Sequence, residues 1–290
     1  HIAPLPVMDY ITERDSDGHF DIGEECDLHL QQYGLGNAHA MAFGKFLGLC
    51  GLHLVVVDLE NNGITTDGLT CILEALQVHP QVRKLNLSHN KFAFIQQAGS
   101  FNQEVSKAEA ALVALFPENQ PGGLCEIREL SLRDCYLQSG ALEILYGRFA
   151  SGAAPLLKRL DTSRNCMRDS AGKTVAEFIR KDTSNKLEEL NISWNSIRGN
   201  QAYNISCALK DNSRLISLNI AQNHFGEEER CMVMLSEALA SNSMMLYLDL
   251  SYNEIMEKGA MIFGFEALKH NYHLKHINMD GNPIGPGGGI

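Results

Sequence analysis

Nowhere in the 290 residues does an apolar run approach the ~20 that a membrane-spanning helix needs, so bilayer insertion is not expected. Basic residues are in deficit. The 24 Lys and Arg stand against 35 Asp and Glu, a formal net charge of −11. That balance repels phosphate backbones, which argues against nucleic acid as a general partner. No CxxC pair occurs, and the eight cysteines are scattered singly. Such spacing fits buried free thiols in a reducing compartment better than disulfides or a metal site, and it points to a cytoplasmic protein. HExxH, GxSxG and GxxxxGK(S/T) are all missing, so no catalytic residue, metal or cofactor is expected. The first residues, His1-Ile2-Ala3-Pro4-Leu5-Pro6, lack an initiating Met and the apolar core of a signal peptide, which suggests a piece of a longer protein.

What the sequence does hold is a repeat. The pattern LxxLxLxxNxL is clearest in Leu187-Leu190-Ile192-Asn195-Ile197, Leu215-Leu218-Ile220-Asn223-Phe225 and Met245-Leu248-Leu250-Asn253-Ile255. Further copies begin at Leu54, Val82, Ile127, Leu157 and Leu274, and a degenerate first copy contributes Leu28, Leu30, Tyr33 and Leu35. From Leu54 onward the first positions are spaced 28, 45, 30, 30, 28, 30 and 29. A period near 29 leaves about 15 residues after each strand, enough for a helix and two turns. Apolar residues two apart on a short strand face one core, and no single unit can close that core alone. Strands are expected near Leu30, Leu59, Leu87, Leu132, Leu160, Ile192, Ile220, Leu250 and Met279. The recurrent Asn (62, 90, 165, 195, 223, 253, 282) leaves each strand where its amide can satisfy backbone groups of two turns; Cys135 and Tyr33 depart from that ladder.

These motifs resemble the ribonuclease-inhibitor-like leucine-rich-repeat family from about Cys26 to Ile284. The resemblance implies an α/β fold: a right-handed solenoid of about nine repeats, with a parallel sheet on the concave face and helices on the convex face. It also implies a non-catalytic protein-interaction scaffold. Gln32-Tyr33-Gly34-Leu35-Gly36 and Ser193-Trp194-Asn195-Ser196-Ile197-Arg198-Gly199 are similar to segments of long cytoplasmic and ciliary repeat proteins of animals and protists. A structural part in a ciliary or cytoskeletal assembly is therefore one alternative. Activators of the small GTPase Ran share the fold, and Ser163-Arg164-Asn165-Cys166-Met167 resembles a turn of theirs, although the ladder also generates Arg-Asn there.

The regularity breaks in three places. The spacing of 45 marks an insertion at about 93–109, with Phe94 and Phe101 as either binding residues or the core of a loop folded back on the solenoid. Residues 1–25 form an N-terminal cap segment ahead of the repeat domain at 26–290. Within it Glu13–Glu24 places oxygen ligands at calcium-loop spacing, with Gly18 at the turn. The chain stops at Pro283-Ile284-Gly285-Pro286, where a further helix is due, so a longer native protein is expected.

Solvent-facing positions alternate with the core leucines. A middle row runs His29, Asp58, Asn86, Ser131, Asp161, Asn191, Asn219, Asp249, Asn278. A following row runs Gln32, Asn61, His89, Asp134, Arg164, Trp194, Gln222, Tyr252, Gly281. Trp194 and Tyr252 therefore stand two repeats apart on the surface, flanked by Arg164 and Gln222, with Tyr247 and His276 one row over and Arg133, Arg159 and Arg164 preceding them. Aromatics ringed by polar groups make interface anchors, although Trp194 could instead pack on the next repeat's turn.

One expectation is directly measurable. The Glu13–Glu24 loop has Glu rather than Asp at its first position, and a repeat strand follows it where an exit helix belongs. Calorimetric titration should detect no tight calcium binding; micromolar binding abolished by Glu24→Gln would contradict this.

Overall fold

The computed structural model describes residues 25–93, 105–118, 123–165, 167–181 and 186–288. The cap segment with its Glu13–Glu24 loop, Phe94, Phe101 and Cys166 lie outside the described residues. Strand and helix alternate throughout. The order begins β1 (Glu25–His29), α1 (Gly36–Leu47), β2 (His53–Asp58), α2 (Thr66–Leu76), β3 (Lys84–Asn86) and α3 (Lys107–Ala114). It continues β4 (Glu129–Ser131), α4 (Ser139–Ala150), β5 (Arg159–Asp161), α5 (Arg168–Arg180), β6 (Glu189–Asn191) and α6 (Gly199–Lys210). Then come β7 (Ser217–Asn219), α7 (Glu229–Ser241), β8 (Tyr247–Asp249), α8 (Glu257–Ile262) and β9 (His276–Asn278). α8 runs on as a π-helical turn, Phe263–Leu268, and a short turn α9 (Gly285–Gly288) ends the described chain. Among the described residues the nine strands form one sheet in sequence order, every pair parallel. The chain is thus an α/β leucine-rich-repeat solenoid of about nine repeats.

The helices form because their apolar residues return on one face. In α2, Leu69, Ile72, Leu73 and Leu76 sit at i, i+3, i+4 and i+7 and are fully buried. Each such side chain contributes about 1.5–3 kcal/mol of burial. A cluster of rings joins the middle helices: Phe116 after α3, Tyr146 and Phe149 on α4, and Phe178 on α5. Their centroids lie 5.0–6.2 Å apart. Repeat five has Thr162 where its neighbours carry Leu or Ile, and the fully buried Tyr146 hydroxyl shares a 2.8 Å hydrogen bond with it. Burial pushes the Tyr146 phenol well above its ordinary value.

From β3 on, the paired strands are only three residues long. They centre on Leu85, Leu130, Leu160, Leu190, Leu218, Leu248 and Ile277. The sequence pattern centres them on Leu87, Leu132, Ile192, Ile220, Leu250 and Met279, two residues later everywhere except Leu160. The later apolar residue is still core and still donates across, as Leu87 N does to Ser131 O at 3.0 Å, but there the backbone has begun to turn.

The turn is held by the Asn ladder. Asn223 Nδ2 donates to Ile192 O of the preceding repeat at 3.1 Å and to its own Ile220 O at 3.0 Å. Its Oδ1 accepts from Asn195 N at 3.1 Å and Ile197 N at 3.0 Å. Asn62, Asn90, Asn165, Asn195, Asn253 and Asn282 make the corresponding donations. Cys135 keeps only half of the pattern. Its thiol donates to Leu87 O at 3.3 Å, but it has no side-chain oxygen, and Phe92 N turns to Cys135 O instead. Burial drives the Cys135 thiol far above its usual pKa. Of the described cysteines only Cys135 and Cys231 are buried; Cys125 is exposed, and Cys26, Cys50, Cys71 and Cys207 are half-buried, so general burial of the thiols does not hold.

After the insertion the repeat resumes at Ser106, which caps α3. Ser106 Oγ accepts from Glu109 N, and the buried Glu109 carboxylate accepts from Ser106 N at 2.8 Å and from Gln138 N of the next repeat at 2.7 Å. The last residues of the 93–109 stretch are therefore the first turn of α3 and the residue that caps it.

The ladder predicts two opposite effects. Asn223→Ala leaves the buried N–H groups of Asn195 and Ile197 without an acceptor and takes one of two ladder donors from Ile192 O and Ile220 O, and should cost about 3 kcal/mol in urea unfolding. Cys135→Asn supplies the missing oxygen and should raise stability by about 1 kcal/mol. Equal and small effects at both positions would contradict the ladder's role.

Candidate protein-docking surface

Each repeat leaves its strand through the same unusual backbone. Gln32, Asn61, His89, Asp134, Arg164, Trp194, Gln222 and Tyr252 all adopt positive φ between 52° and 61°, and Gly281 closes the row at 69°. The left-handed region costs an L-residue about 1–2 kcal/mol, and glycine is its natural occupant. Nothing in the core uses these side chains. Trp194 is 45% exposed and Tyr252 53%.

The middle row turns out to be part of what enforces this conformation. Asp58 Oδ1 accepts from Glu60 N, Asp161 Oδ1 from Ser163 N, Asn191 Oδ1 from Ser193 N and Asp249 Oδ1 from Ser251 N, at 2.8–3.1 Å. Asn86, Asn219 and Asn278 do the same. These are Asx turns, in which a side chain substitutes for a backbone acceptor two residues on. The row that reads from sequence as plain polar surface is therefore a turn-forming device with one face to solvent.

Two candidate clusters result, at opposite ends of the strands. At the turn end, Arg133, Arg164, Trp194, Gln222 and Tyr252 line one groove of about 230 Å³. The Arg164 guanidinium lies 4.2 Å from the centre of the Trp194 ring, so a cation of the preceding repeat is one partner of the ring. Tyr252 leans over Gly281, where a Cβ would collide with its ring. At the strand-start end, Tyr247 and His276 are register partners whose rings stack at 4.9 Å and 4°. They line a separate trough of about 350 Å³ and meet the first groove only through the intervening Asn219 and Asp249. Tyr247 and His276 are thus not beside Trp194 and Tyr252, because four residues of strand and turn separate Tyr247 from Tyr252.

Arg159 also differs from expectation. It begins β5 and sits between Glu129 at 2.6 Å and Glu189 at 3.0 Å, while Lys84 reaches Glu129 at 3.0 Å. Partial burial would raise the Glu129 carboxyl, but Lys84 and Arg159 prevail and hold it below its ordinary value. This row is a self-neutralised charge ladder.

A second ladder escaped sequence reading. Asn212, Asn242 and Asn271, three residues before the first apolar residue of their repeats, each donate to backbone carbonyls of the preceding unit and accept from the N–H groups two and three residues on. The signal was an Asn at a fixed offset, present in only three repeats. Among the described residues no three or more His, Cys, Asp and Glu converge to hold a metal ion, and no helix is long and apolar enough to cross a membrane.

The backbone makes the role of Trp194 separable from folding. Trp194→Gly relieves a left-handed residue, so thermal unfolding should show a change below about 1 kcal/mol. Gly281→Ala adds strain and a clash with Tyr252, and should cost about 1–3 kcal/mol. Cooperative collapse of the array in Trp194→Gly would show the ring to be packing.

The chain is similar to known repeat proteins. A family model described as Leucine Rich repeat matches residues 52–73, 183–200, 241–262 and 270–290. The mouse (Mus musculus) protein "NACHT, LRR and PYD domains-containing protein 5" is 25% identical over 187 residues, 60% of this chain. The chain spans 16% of that relative's length. Among solved structures, leiomodin-1 actin-binding site 2 aligns with a TM-score of 0.40 and 18% identity, over 46% of this chain and 76% of its own. A Leptospira interrogans LRR protein aligns with a TM-score of 0.40 and 13% identity, over 84% of this chain and 64% of its own. With its repeat-model matches and its nine parallel strands in sequence order, the chain is a leucine-rich-repeat protein.

Proposed function

We propose that this chain is a non-catalytic scaffold whose protein partner docks on the turn-end groove in the C-terminal half of the sheet, with Trp194 and Tyr252 as anchors. One observation carries the reading. Two large aromatic side chains, about half exposed, occupy left-handed backbone positions where the fold has no use for them, and they line a single groove. A residue that raises the energy of the free protein and projects into solvent has the character of an interface anchor. Tyr247 and His276 form a second contact point farther along the same face. Activation of a GTPase in the manner of the Ran activators would call on Arg164 and Asn165. Arg164 is stacked on Trp194 and Asn165 is held in the ladder, which supports the scaffold reading over that one. The scattered free thiols support a cytoplasmic setting, with a place in a ciliary or cytoskeletal assembly as its narrower form.

The test pairs capture with direct binding. Proteins retained from a source-cell extract by the wild-type chain, and lost with Trp194→Gly/Tyr252→Gly, are purified and titrated individually. At least one should bind directly, weakened about tenfold or more by Trp194→Gly and unaffected by Tyr272→Ser on the loop between the π-helical turn and β9. Direct binding that is indifferent to both aromatic changes would place the site elsewhere.

A further inference from the structure

We propose that the groove between Trp194 and Tyr252 takes a short acidic peptide segment: a carboxylate held by Arg133 and Arg164, with a neighbouring apolar side chain laid against the two rings. The proposal rests on the docking reading above and specifies the partner's chemistry.

The charges of this face are spent differently at its two ends. At the strand starts Lys84 and Arg159 each have a carboxylate within 3.0 Å, and Lys158 has Glu188 at 2.8 Å. At the turn end the pattern is different. Arg133 and Arg164 are exposed, and among the described residues neither has a carboxylate within ion-pair distance. The acids around them are committed elsewhere. Asp134 Oδ2 faces His89 Nδ1 at 3.1 Å, Asp161 Oδ1 closes its Asx turn, and Asp161 Oδ2 accepts from Asn191 Nδ2 at 3.0 Å. Asp249, the one carboxylate lining the groove, accepts with Oδ1 from Ser251 N and Ser251 Oγ. In a chain of net charge −11, two guanidinium groups without an acid partner outnumber it and form a local reversal of sign.

Arg164 is also prepared for its task. A guanidinium held over an indole ring keeps N–H donors around its edge, in the fork geometry that matches a carboxylate, and loses little further freedom when one arrives. Arg133 stands one repeat back at the neighbouring turn position and lines the same groove. Between the two rings, Gln222 makes no side-chain hydrogen bond among the described residues, which leaves its amide for a peptide backbone. Apolar, hydrogen-bonding and cationic groups therefore converge on one small volume.

The size and charge of the site select the class of ligand. About 230 Å³ accommodates one or two side chains rather than a whole helix. A nucleic acid strand could stack on Trp194 and Tyr252, but its run of phosphates would meet the field of a strongly acidic protein with only two cations to offset it. A peptide with one or two carboxylates meets far less repulsion.

The experiment selects ligands from short random peptides displayed on phage, with the whole chain as bait, then measures dye-labelled synthesised hits by fluorescence anisotropy, which reads equally in a variant without Trp194. Trp194 is the only tryptophan, so its emission reports occupancy of the groove. The enriched peptides should carry Asp or Glu beside Leu, Ile or an aromatic residue and should shift Trp194 emission. Their affinity should fall about tenfold or more in Arg133→Gln/Arg164→Gln, and similarly when the peptide acid becomes its amide. A loss in the arginine variant counts only if its circular dichroism and melting match wild type; for a variant that fails to fold, the peptide acid-to-amide change on wild-type protein decides. Peptides that need Trp194 but show no acidic preference, or ignore the peptide amide change, would overturn this inference and leave the docking site standing. Trp194-dependent binding of a polyuridine oligonucleotide without peptide binding would replace the peptide with nucleic acid. No enriched peptide, or only peptides indifferent to Trp194→Gly, would remove both the inference and the docking site beneath it.

Discussion

A buried side-chain amide that serves two turns at once is the interaction on which the rest of this structure depends. A short parallel strand ends by exposing carbonyls and N–H groups to a dry interior, where each unpaired group costs about 1–3 kcal/mol. Asparagine answers with two donors and an acceptor. Asn165, for example, reaches Leu132 O, Thr162 O and Ser163 O while accepting from Cys135 N and Leu137 N. Because each amide spans its own turn and the preceding one, it sets the stacking distance as well as the turn. A second row at Asn212, Asn242 and Asn271 does the same where helices return to strands. Between these rows the core needs only leucine-like volume, which the repeat supplies.

The ladder has a consequence for the surface. By clamping the chain just after a left-handed residue, it makes that conformation obligatory whatever side chain stands there. The fold thus presents a row of turn positions whose side chains are free to serve other ends. In the first repeats this row carries Gln32, Asn61, His89 and Asp134; toward the C-terminal half it carries Arg164, Trp194, Gln222 and Tyr252. Asn and Asp tolerate such backbone readily and tryptophan does not, so the substitution is a departure from local ease with no return in the core. Structure and site are in this sense built from consecutive residues of the same turn, the outward aromatic and the inward Asn.

Much of this was legible because the repeat states it many times over. The register of the middle row, from His29 to Asn278, follows from the pattern and matches the paired strands, and the departure at Cys135 is where the ladder loses its acceptor. Finer points were not legible. Leu85 and Leu87 are both buried, and periodicity does not say which of them pairs and which turns. That Arg159 is neutralised while Arg133 is not depends on which neighbour one strand away carries a carboxylate, a lateral relation absent from linear reading. Tyr247 and Tyr252 are close in sequence but lie at opposite ends of strand and turn. The left-handed backbone at Trp194 was hidden because a bulky residue gives no hint of it; Asn61, Asp134 and Gly281, elsewhere in the same row, do.

The central claim is that the amide ladder carries the fold and the aromatic turn residues do not. Amide hydrogen exchange in the wild type and in Trp194→Gly/Tyr252→Gly tests it most directly, because Ile197, Phe225 and Ile255 donate their N–H groups to ladder oxygens beside the altered turns. Their protection should be unchanged in the double variant and should remain among the strongest in the chain. Loss of protection at these amides, spreading through the repeats from 187 to 255, would contradict the account by showing that the rings hold the turns.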